Sequence, residues 1–437
     1  MTKPDASARQ SYDLDTLRDT PTRRRVGVVG MGYVGLPTAL SLAESGAEVT
    51  GLDVDETRLT AIKKLAVDLL PRDLERLETT LHNNSLHLTT EPSHLSVADG
   101  IVICVPTPVD SHLTPDLAAL TAACATVVQN ARRGQTIVLT STTYPGCTAD
   151  ILVKPLQAKG FEIGRDIYVA FSPERIDPGV AAHSPELTPR VLGGVTPECC
   201  RRAAALVEHT AASLHLVSSP EAAEMTKLVE NTFRAVNIAL ANEFADAARE
   251  MRVDVMEVIS AAATKPYGFM PFYPSAGVGG HCIPCDPHYL LWQLRSQRTT
   301  SPVVEAAMTA IAARPRDVIT RARTMLGDGG RSLRGARVLI VGVAYKAGVA
   351  DVRESPALAI IDMLTHEGAA VSYSDPLVET IRTEQGSLYH VARPQDSAWD
   401  LVVLHTLHPD QDLTWLTEQP VLDTTFRAST LADRVTL

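Results

Sequence analysis

Apolar residues in this chain come in short blocks. The first, Val26-Gly27-Val28-Val29, predicts a buried strand that runs into Gly30-Met31-Gly32-Tyr33-Val34-Gly35, after which Leu36, Leu40, Leu42 and Ala43 continue with helical character. A second strand, residues 49–54, brings Asp53 and Asp55 to its end. Further blocks at 101–105, 136–140 and 167–171 are separated by helix-like stretches such as 116–132. This alternation predicts an α/β fold with a doubly wound sheet. From about residue 220 to 251 the pattern becomes one long helix without internal Gly or Pro. A second strand-and-helix unit opens at 336–346 and continues through a helix near Ser355 to strands at 370–373 and 401–404.

The glycines of the first turn have separate jobs. Gly30 permits the tight turn, Gly32 lets a pyrophosphate approach the backbone, and Gly35 lets helix and strand pack closely. The helix start adds N–H groups and a positive dipole. Strand, glycine turn, helix and acid in that order predict a dinucleotide site, and an acid there favours NAD over NADP because a 2′-phosphate would meet its charge. Asp53 is the first choice and Asp55 the second. Loops at the carboxyl ends of later strands carry Thr107, Thr142 and Glu174, placed to face cofactor or substrate. The expected architecture is two Rossmann-like doubly wound domains joined by the long central helix and a helical middle domain. Its boundaries are 1–24 for a mobile extension, 25–218, 219–325 and 326–437.

Composition narrows the classes. At 437 residues, 45% hydrophobic and 21% charged, the chain is large enough for two or three cores. No apolar run approaches the roughly 20 residues that span a bilayer, and the N-terminus, with Asp5, Arg9, Asp13 and Asp15, lacks the apolar core of a signal peptide, so a cytoplasmic protein without membrane association is expected. Seven scattered cysteines fit a reducing compartment. A formal charge of −11 argues against nucleic acid as a partner.

On the long helix Glu224, Lys227, Asn231 and Arg234 recur at three- and four-residue steps and share a face. Val229, Phe233, Val236, Ile238 and Leu240 make the other faces apolar, so part of the polar stripe is expected to be buried, and a buried Lys227 would suit acid, base or oxyanion work. The densest chemistry lies in Gly279-Gly280-His281-Cys282-Ile283-Pro284-Cys285-Asp286-Pro287-His288. Three chemistries fit: a covalent nucleophile at Cys282, a redox CxxC pair, or a metal site. Glycines and prolines fix the backbone around the sulfur, as a nucleophile needs. No thioredoxin-like pattern accompanies the CxxC, and a zinc site from His281, Cys282, Cys285 and His288 lacks a second ligand pair, so no metal is expected.

From Arg25 onward the chain resembles the UDP-glucose/GDP-mannose dehydrogenase family of NAD-dependent nucleotide-sugar 6-dehydrogenases. The matching pieces stand in order: Gly30 to Leu36; Val105-Pro106-Thr107-Pro108; Ser141-Thr142; Ser172-Pro173-Glu174-Arg175; Lys227 with Asn231; Gly279 to Pro284; Asp286-Pro287; and Tyr345-Lys346 with Asp351-Val352-Arg353-Glu354-Ser355. Residues 261–274 are most similar to the branch that oxidises UDP-N-acetylglucosamine. The resemblance implies a four-electron oxidation of the sugar C6 alcohol to a carboxylate with two NAD, in which Cys282 holds first a thiohemiacetal and then a thioester. It implies that Lys227 and Asn231 hydrogen-bond the developing oxyanions, that Asp286 orients a water or takes protons, and that Thr142 and Glu174 position or activate the hydrolytic water. Cofactor contacts implied are Gly30, Gly32, Tyr33, Val34, Gly35, Asp53, Arg58, Thr107, Thr142 and Arg353. Substrate contacts implied are Glu174, Arg175, Lys227, Asn231, Phe272, Tyr273, Gly277, Gly279 and Lys346. It further implies an NAD-binding domain at 25–218, the catalytic cysteine in the helical middle domain, a UDP-sugar-binding domain at 326–437, and a homodimer through the long helix.

The chain departs from the family's pattern in three places. Ser275-Ala276 stand where this branch usually has Gly-Pro, Cys285 replaces an aliphatic residue and Cys147 a threonine. UDP-N-acetylmannosamine, UDP-N-acetylgalactosamine and UDP-glucose are the alternative substrates. A nonenzymatic sugar-nucleotide sensor on the same fold is the alternative of a different class.

Overall fold

The computed structural model describes residues 24–67, 69, 71–175, 187–429, 431 and 434–437, so the expected N-terminal extension lies outside the described residues except for Arg24. Two compact units divide at Lys227 and Leu228, inside the long helix Pro220–Glu250.

Among the described residues the first unit is built on eight strands: β1 Arg25–Val29, β2 Glu48–Leu52, β3 Leu86–Thr89, β4 Gly100–Ile103, β5 Thr136–Leu139, β6 Tyr168–Phe171, β7 Arg190–Gly194 and β8 Leu214–Val217. Their order is β3-β2-β1-β4-β5-β6-β7-β8. The first six are parallel, β7 runs antiparallel to β6, and β8 returns parallel to β7. Strands β4 to β7 are buried at every position, the mark of a sheet covered on both faces. Chain order reverses between β1 and β4, and the crevice beyond their carboxyl ends is where such sheets bind ligands.

The second unit carries a parallel sheet of β9 Arg337–Val341, β10 Ala370–Ser374, β13 Leu401–Leu404, β14 Val421–Asp423 and β15 Val435–Thr436, ordered β10-β9-β13-β14-β15. A hairpin of β11 Thr380–Thr383 and β12 Gly386–Tyr389 stands apart. The helices Val255–Ala263 and Pro302–Asp328 belong to this unit, and they share one core with the sheet: Val255, Ile259, Val318 and Ala322 join Val338, Ile340, Ile360 and Leu401. The helix expected near Ser355 spans Pro356–His366, with Ser355 accepting from the Ala357 N–H as its cap and Pro356 preset for the first helical position. No helix of the described residues is long and apolar enough to cross a membrane.

Candidate active site

In the first unit the glycine turn has the geometry its sequence demands. Gly30 sits at φ +88°, and a Cβ there would lie 2.6 Å from the Cys104 carbonyl oxygen. A Cβ on Gly35 would overlap the Gly30 carbonyl, so helix and strand pack too closely for a side chain. Gly32 faces open space, with nothing within 4 Å of a Cβ position. That opening, at the start of the helix Gly35–Glu44, fits a pyrophosphate lying against the backbone.

Asp53 follows β2 and accepts from the Met31 N–H at 2.6 Å, while Arg58 Nε donates to the Met31 carbonyl at 3.0 Å. Acid and cation therefore hold one residue of the turn, Met31, through both of its backbone polar groups. A carboxylate has about four lone-pair sites, and Asp53 spends two here, the second on the Asp55 N–H at 3.0 Å. Capacity remains for a ribose hydroxyl. Asp55, the second choice, is occupied as the cap of the helix Glu56–Lys63, and its hydrogen bond with Thr57 foremost lowers its pKa. Tyr33 is exposed, Val34 half-buried and Thr107 buried.

Glu174 and Arg175 emerge after β6. The buried Lys227 ammonium donates to the Glu174 carbonyl at 2.9 Å, and the Glu174 carboxylate accepts from the Arg175 N–H at 2.8 Å. Behind them lies Arg190, which sequence reasoning missed. It is only 3% exposed, donates to Ser172, Thr140 and Thr210, and stands 3.5 Å from the Glu174 carboxylate. An arginine opening a buried strand was the available signal, because a buried guanidinium must be paired. Thr142 is half-buried in a loop anchored at its far end by Glu224, which accepts from the Gly146 N–H, the Thr148 N–H and the Thr148 hydroxyl. The polar stripe of the long helix thus runs from Glu224, wholly buried, through buried Lys227 and half-buried Asn231 to exposed Arg234.

In the second unit, of the chain's seven cysteines, six are buried and Cys282 alone is exposed. Burial pushes the Cys104 and Cys147 thiols up to about 12, out of reach of nucleophilic work. Cys285 is among the buried six. The helix Asp286–Ser296 starts directly after, and the Cys282 carbonyl accepts from the N–H groups of Asp286 at 2.8 Å and Cys285 at 3.2 Å. Asp286 is buried and accepts from the Asn231 amide, so two of the three predicted catalytic residues of this unit are joined. Burial foremost lowers the pKa of both His281 and His288, disfavouring the charged imidazole. Among the described residues no group of three or more His, Cys, Asp or Glu could hold a metal ion.

The cysteine loop rests on the segment 345–354. Gly280, at φ +84°, donates its N–H to the Arg353 carbonyl at 3.0 Å, and a Cβ there would lie 2.8 Å from the Tyr345 ring. A Cβ on Gly279 would meet Tyr345 and the Glu354 carbonyl, and one on Gly277 would meet Pro356. These three glycines are required by close packing as well as by any ligand. Arg353 is clasped by Asp351, with contacts of 3.0, 3.0 and 2.6 Å. Lys346 is half-buried in the same segment. Phe272 packs edge-on against Phe233 at 5.8 Å, and Tyr273, 40% exposed, lies under the Arg427 guanidinium at 5.9 Å. The departure at Ser275-Ala276 is absorbed locally: Ser275 takes the Asn242 side chain through its N–H at 2.9 Å, its hydroxyl donates to Gly277 at 2.7 Å, and Ala276 is buried.

Three domains of the UDP-glucose/GDP-mannose dehydrogenase family match this chain: the NAD binding domain over 24–211, the central domain over 221–310 and the UDP binding domain over 339–426. A UDP-N-acetyl-D-glucosamine 6-dehydrogenase of Pseudomonas aeruginosa is 32% identical over 390 residues, covering 88% of this chain and 91% of that one. A UDP-N-acetyl-D-mannosamine dehydrogenase of Methanocaldococcus jannaschii is 36% identical over 357 residues, covering 80% and 79%. The solved UDP-D-ManNAc dehydrogenase of Pyrococcus horikoshii superposes with a TM-score of 0.85 at 30% identity, covering 94% of this chain and 98% of that one. The chain belongs to the UDP-glucose/GDP-mannose dehydrogenase family and is an NAD-dependent nucleotide-sugar dehydrogenase.

Proposed function

We propose that the protein oxidises C6 of UDP-N-acetylglucosamine to the UDP-uronic acid through a covalent Cys282 adduct. The observation that carries the covalent step is the exposure of Cys282 alone among seven cysteines. The sugar assignment is supported by residues 261–274 and by the relative from Pseudomonas aeruginosa. Gly30, Gly32, Gly35, Asp53 and Arg58 hold NAD, with Tyr33, Val34, Thr107, Thr142 and Arg353 as further contacts. Bound NAD supplies the hydride acceptor for both oxidations, two per sugar.

The Cys282 thiolate adds to the aldehyde carbon, and the oxygen that gains the electron pair is stabilised by the Lys227 charge and the Asn231 amide. Loss of hydride from this thiohemiacetal leaves a thioester. Asp286, fixed by Asn231, orients the attacking water and takes its proton, with Thr142 and Glu174 positioning that water; collapse of the adduct returns the thiolate. Glu174 and Arg175 join Lys227, Asn231, Phe272, Tyr273, Gly277, Gly279 and Lys346 around the UDP-sugar.

The three functional segments are 25–218 for NAD, 219–325 for the cysteine and 326–437 for the nucleotide sugar. Val229, Phe233, Leu240 and Phe244 are exposed at four- and seven-residue steps along the long helix, and this apolar stripe pairs with a second copy of the chain. The enzyme works in the cytoplasm, where its thiols stay free. A panel of UDP-N-acetylglucosamine, UDP-N-acetylmannosamine, UDP-N-acetylgalactosamine and UDP-glucose, scored for two NADH per sugar, tests the substrate. Higher kcat/KM on any other member overturns the assignment, and binding without NADH identifies a sensor.

A further inference from the structure

The two nucleotide-type units share one turn and differ in what fills it. In the first, Gly30 (φ +88°) closes β1, its N–H donates to the Leu52 carbonyl at 2.8 Å, and Asp53 accepts from the next N–H, that of Met31. In the second, Gly342 (φ +77°) closes β9, its N–H donates to the Ser374 carbonyl at 2.8 Å, and Asp375 accepts from the next N–H, that of Val343, at 2.7 Å. Asp375 is therefore the positional equivalent of Asp53.

Its surroundings are not equivalent. Asp375 is 1% exposed, and the oxygen that takes the Val343 N–H also takes the Ala344 N–H at 3.1 Å and His408 Nε2 at 3.1 Å. Its other oxygen takes the Leu377 N–H at 2.9 Å. Four donors match its about four lone-pair sites and burial closes it off from a ribose hydroxyl, so this acid is spent on structure. His408 is buried too, and its second nitrogen, Nδ1, accepts from the Gly348 N–H at 3.2 Å. An accepting Nδ1 places the ring proton on Nε2, where it donates to Asp375. Thr406, two residues earlier, donates to the Ala344 carbonyl at 2.7 Å. The loop 344–348, which carries Lys346, is thus tied at both ends to the segment after β13.

We propose that His408 is a positioning residue for the nucleotide sugar: its Nδ1 holds the Gly348 amide and so sets the Lys346 loop, while the bond to Asp375 only orients the ring. The proposal rests on the reading that Lys346 contacts the substrate. Two substitutions separate the ring's two bonds. In His408→Asn the side-chain oxygen can stand in for Nδ1 and accept from Gly348; in His408→Gln the longer amide can stand in for Nε2 and donate to Asp375.

Loss of one hydrogen bond of about 1 kcal/mol corresponds to roughly fivefold. His408→Gln should raise KM for UDP-N-acetylglucosamine by about that factor while leaving KM for NAD unchanged, and His408→Asn should stay within about twofold on both. Hydrogen exchange at the Gly348 amide should speed up in His408→Gln and stay near wild type in His408→Asn. Equal exchange in the two variants overturns the proposal, as does faster exchange in His408→Gln with an unchanged sugar-nucleotide KM or an equal rise in KM for NAD. If the wild-type enzyme turns over none of the UDP-sugars, the substrate reading fails, while the exchange pattern still decides whether His408 holds the loop.

Discussion

Replacing Glu224 should loosen a loop that lies more than seventy positions away in sequence. Its carboxylate is 0% exposed and accepts from the Gly146 N–H at 2.6 Å, the Thr148 N–H at 2.8 Å and the Thr148 hydroxyl at 2.6 Å. In Glu224→Ala the buried Thr148 N–H and the half-buried Gly146 N–H lose their acceptor, at up to about 1–3 kcal/mol each, giving at most about 2–6 kcal/mol before relaxation. Burial already disfavours the charged form, raising the Glu224 pKa, and removing that strain offsets part of the loss, so about 3 kcal/mol is expected. In Glu224→Gln one oxygen still serves Thr148, but the new NH2 group faces the Gly146 N–H, two donors opposed, for about 1–3 kcal/mol. Glu221→Gln, exposed on the same helix, should change stability by no more than about 0.5 kcal/mol. Urea unfolding ranks the variants, and hydrogen exchange at Gly146 and Thr148 reads the loop itself, with about 3 kcal/mol corresponding to exchange faster by roughly a hundredfold. If Glu224→Ala unfolds and exchanges like the wild type, the anchoring role is wrong.

Cys282→Ala should abolish steady uronic acid production while NAD binding, read by fluorescence titration, survives; Cys282→Ser should stall as a trapped ester visible as an intact-mass increase, since an ester is a poorer acyl donor than a thioester. Gly280→Ala forces a Cβ to within 2.8 Å of the Tyr345 ring at a positive φ, so kcat should fall about tenfold or more through displacement of the cysteine loop, and wild-type kcat would refute that packing argument. Phe244→Glu places a charge in the exposed stripe and should abolish the proposed pairing of two copies, leaving a monomer by analytical ultracentrifugation. Burial raises the Asp375 pKa, yet the hydrogen bonds from His408, Leu377, Val343 and Ala344 outweigh it and bring it from the usual 3.8 to about 2. The native state then binds fewer protons than the unfolded one, so this contribution is present above about pH 4 and is lost as pH falls toward about 2; Asp375→Asn should flatten that part of the unfolding midpoint–pH curve.

What the sequence disclosed and what it hid follow from how far each signal travels along the chain. The Gly30 to Gly35 turn was legible because strand, glycines, helix and Asp53 act on one another within about 25 residues. Strands β1, β2, β4, β5 and β6 announced themselves as apolar blocks. Strand β3, Leu86–Thr89, escaped notice because it alternates buried and open positions over only four residues, and β7 because Arg190 and two glycines break its apolar pattern. The burial gradient along Glu224, Lys227, Asn231 and Arg234 was half visible: spacing puts them on one face, but only packing shows where that face enters the protein. The partners of Arg190 and His408 were invisible for a common reason. Each acts through partners brought together by sheet pairing, Arg190 through Glu174 and His408 through Asp375 and Gly348, and no local spacing encodes such meetings.

Having a single exposed thiol also makes the native enzyme countable. A thiol-selective alkylating reagent offered to the folded chain meets one exposed thiol, that of Cys282, because the other six are shut away. One equivalent of label per chain should therefore end all turnover, and the label taken up by any preparation measures how many of its molecules were competent at the start. Saturating substrate should shield that sulfur, so the labelling rate doubles as a binding assay that needs no product to form.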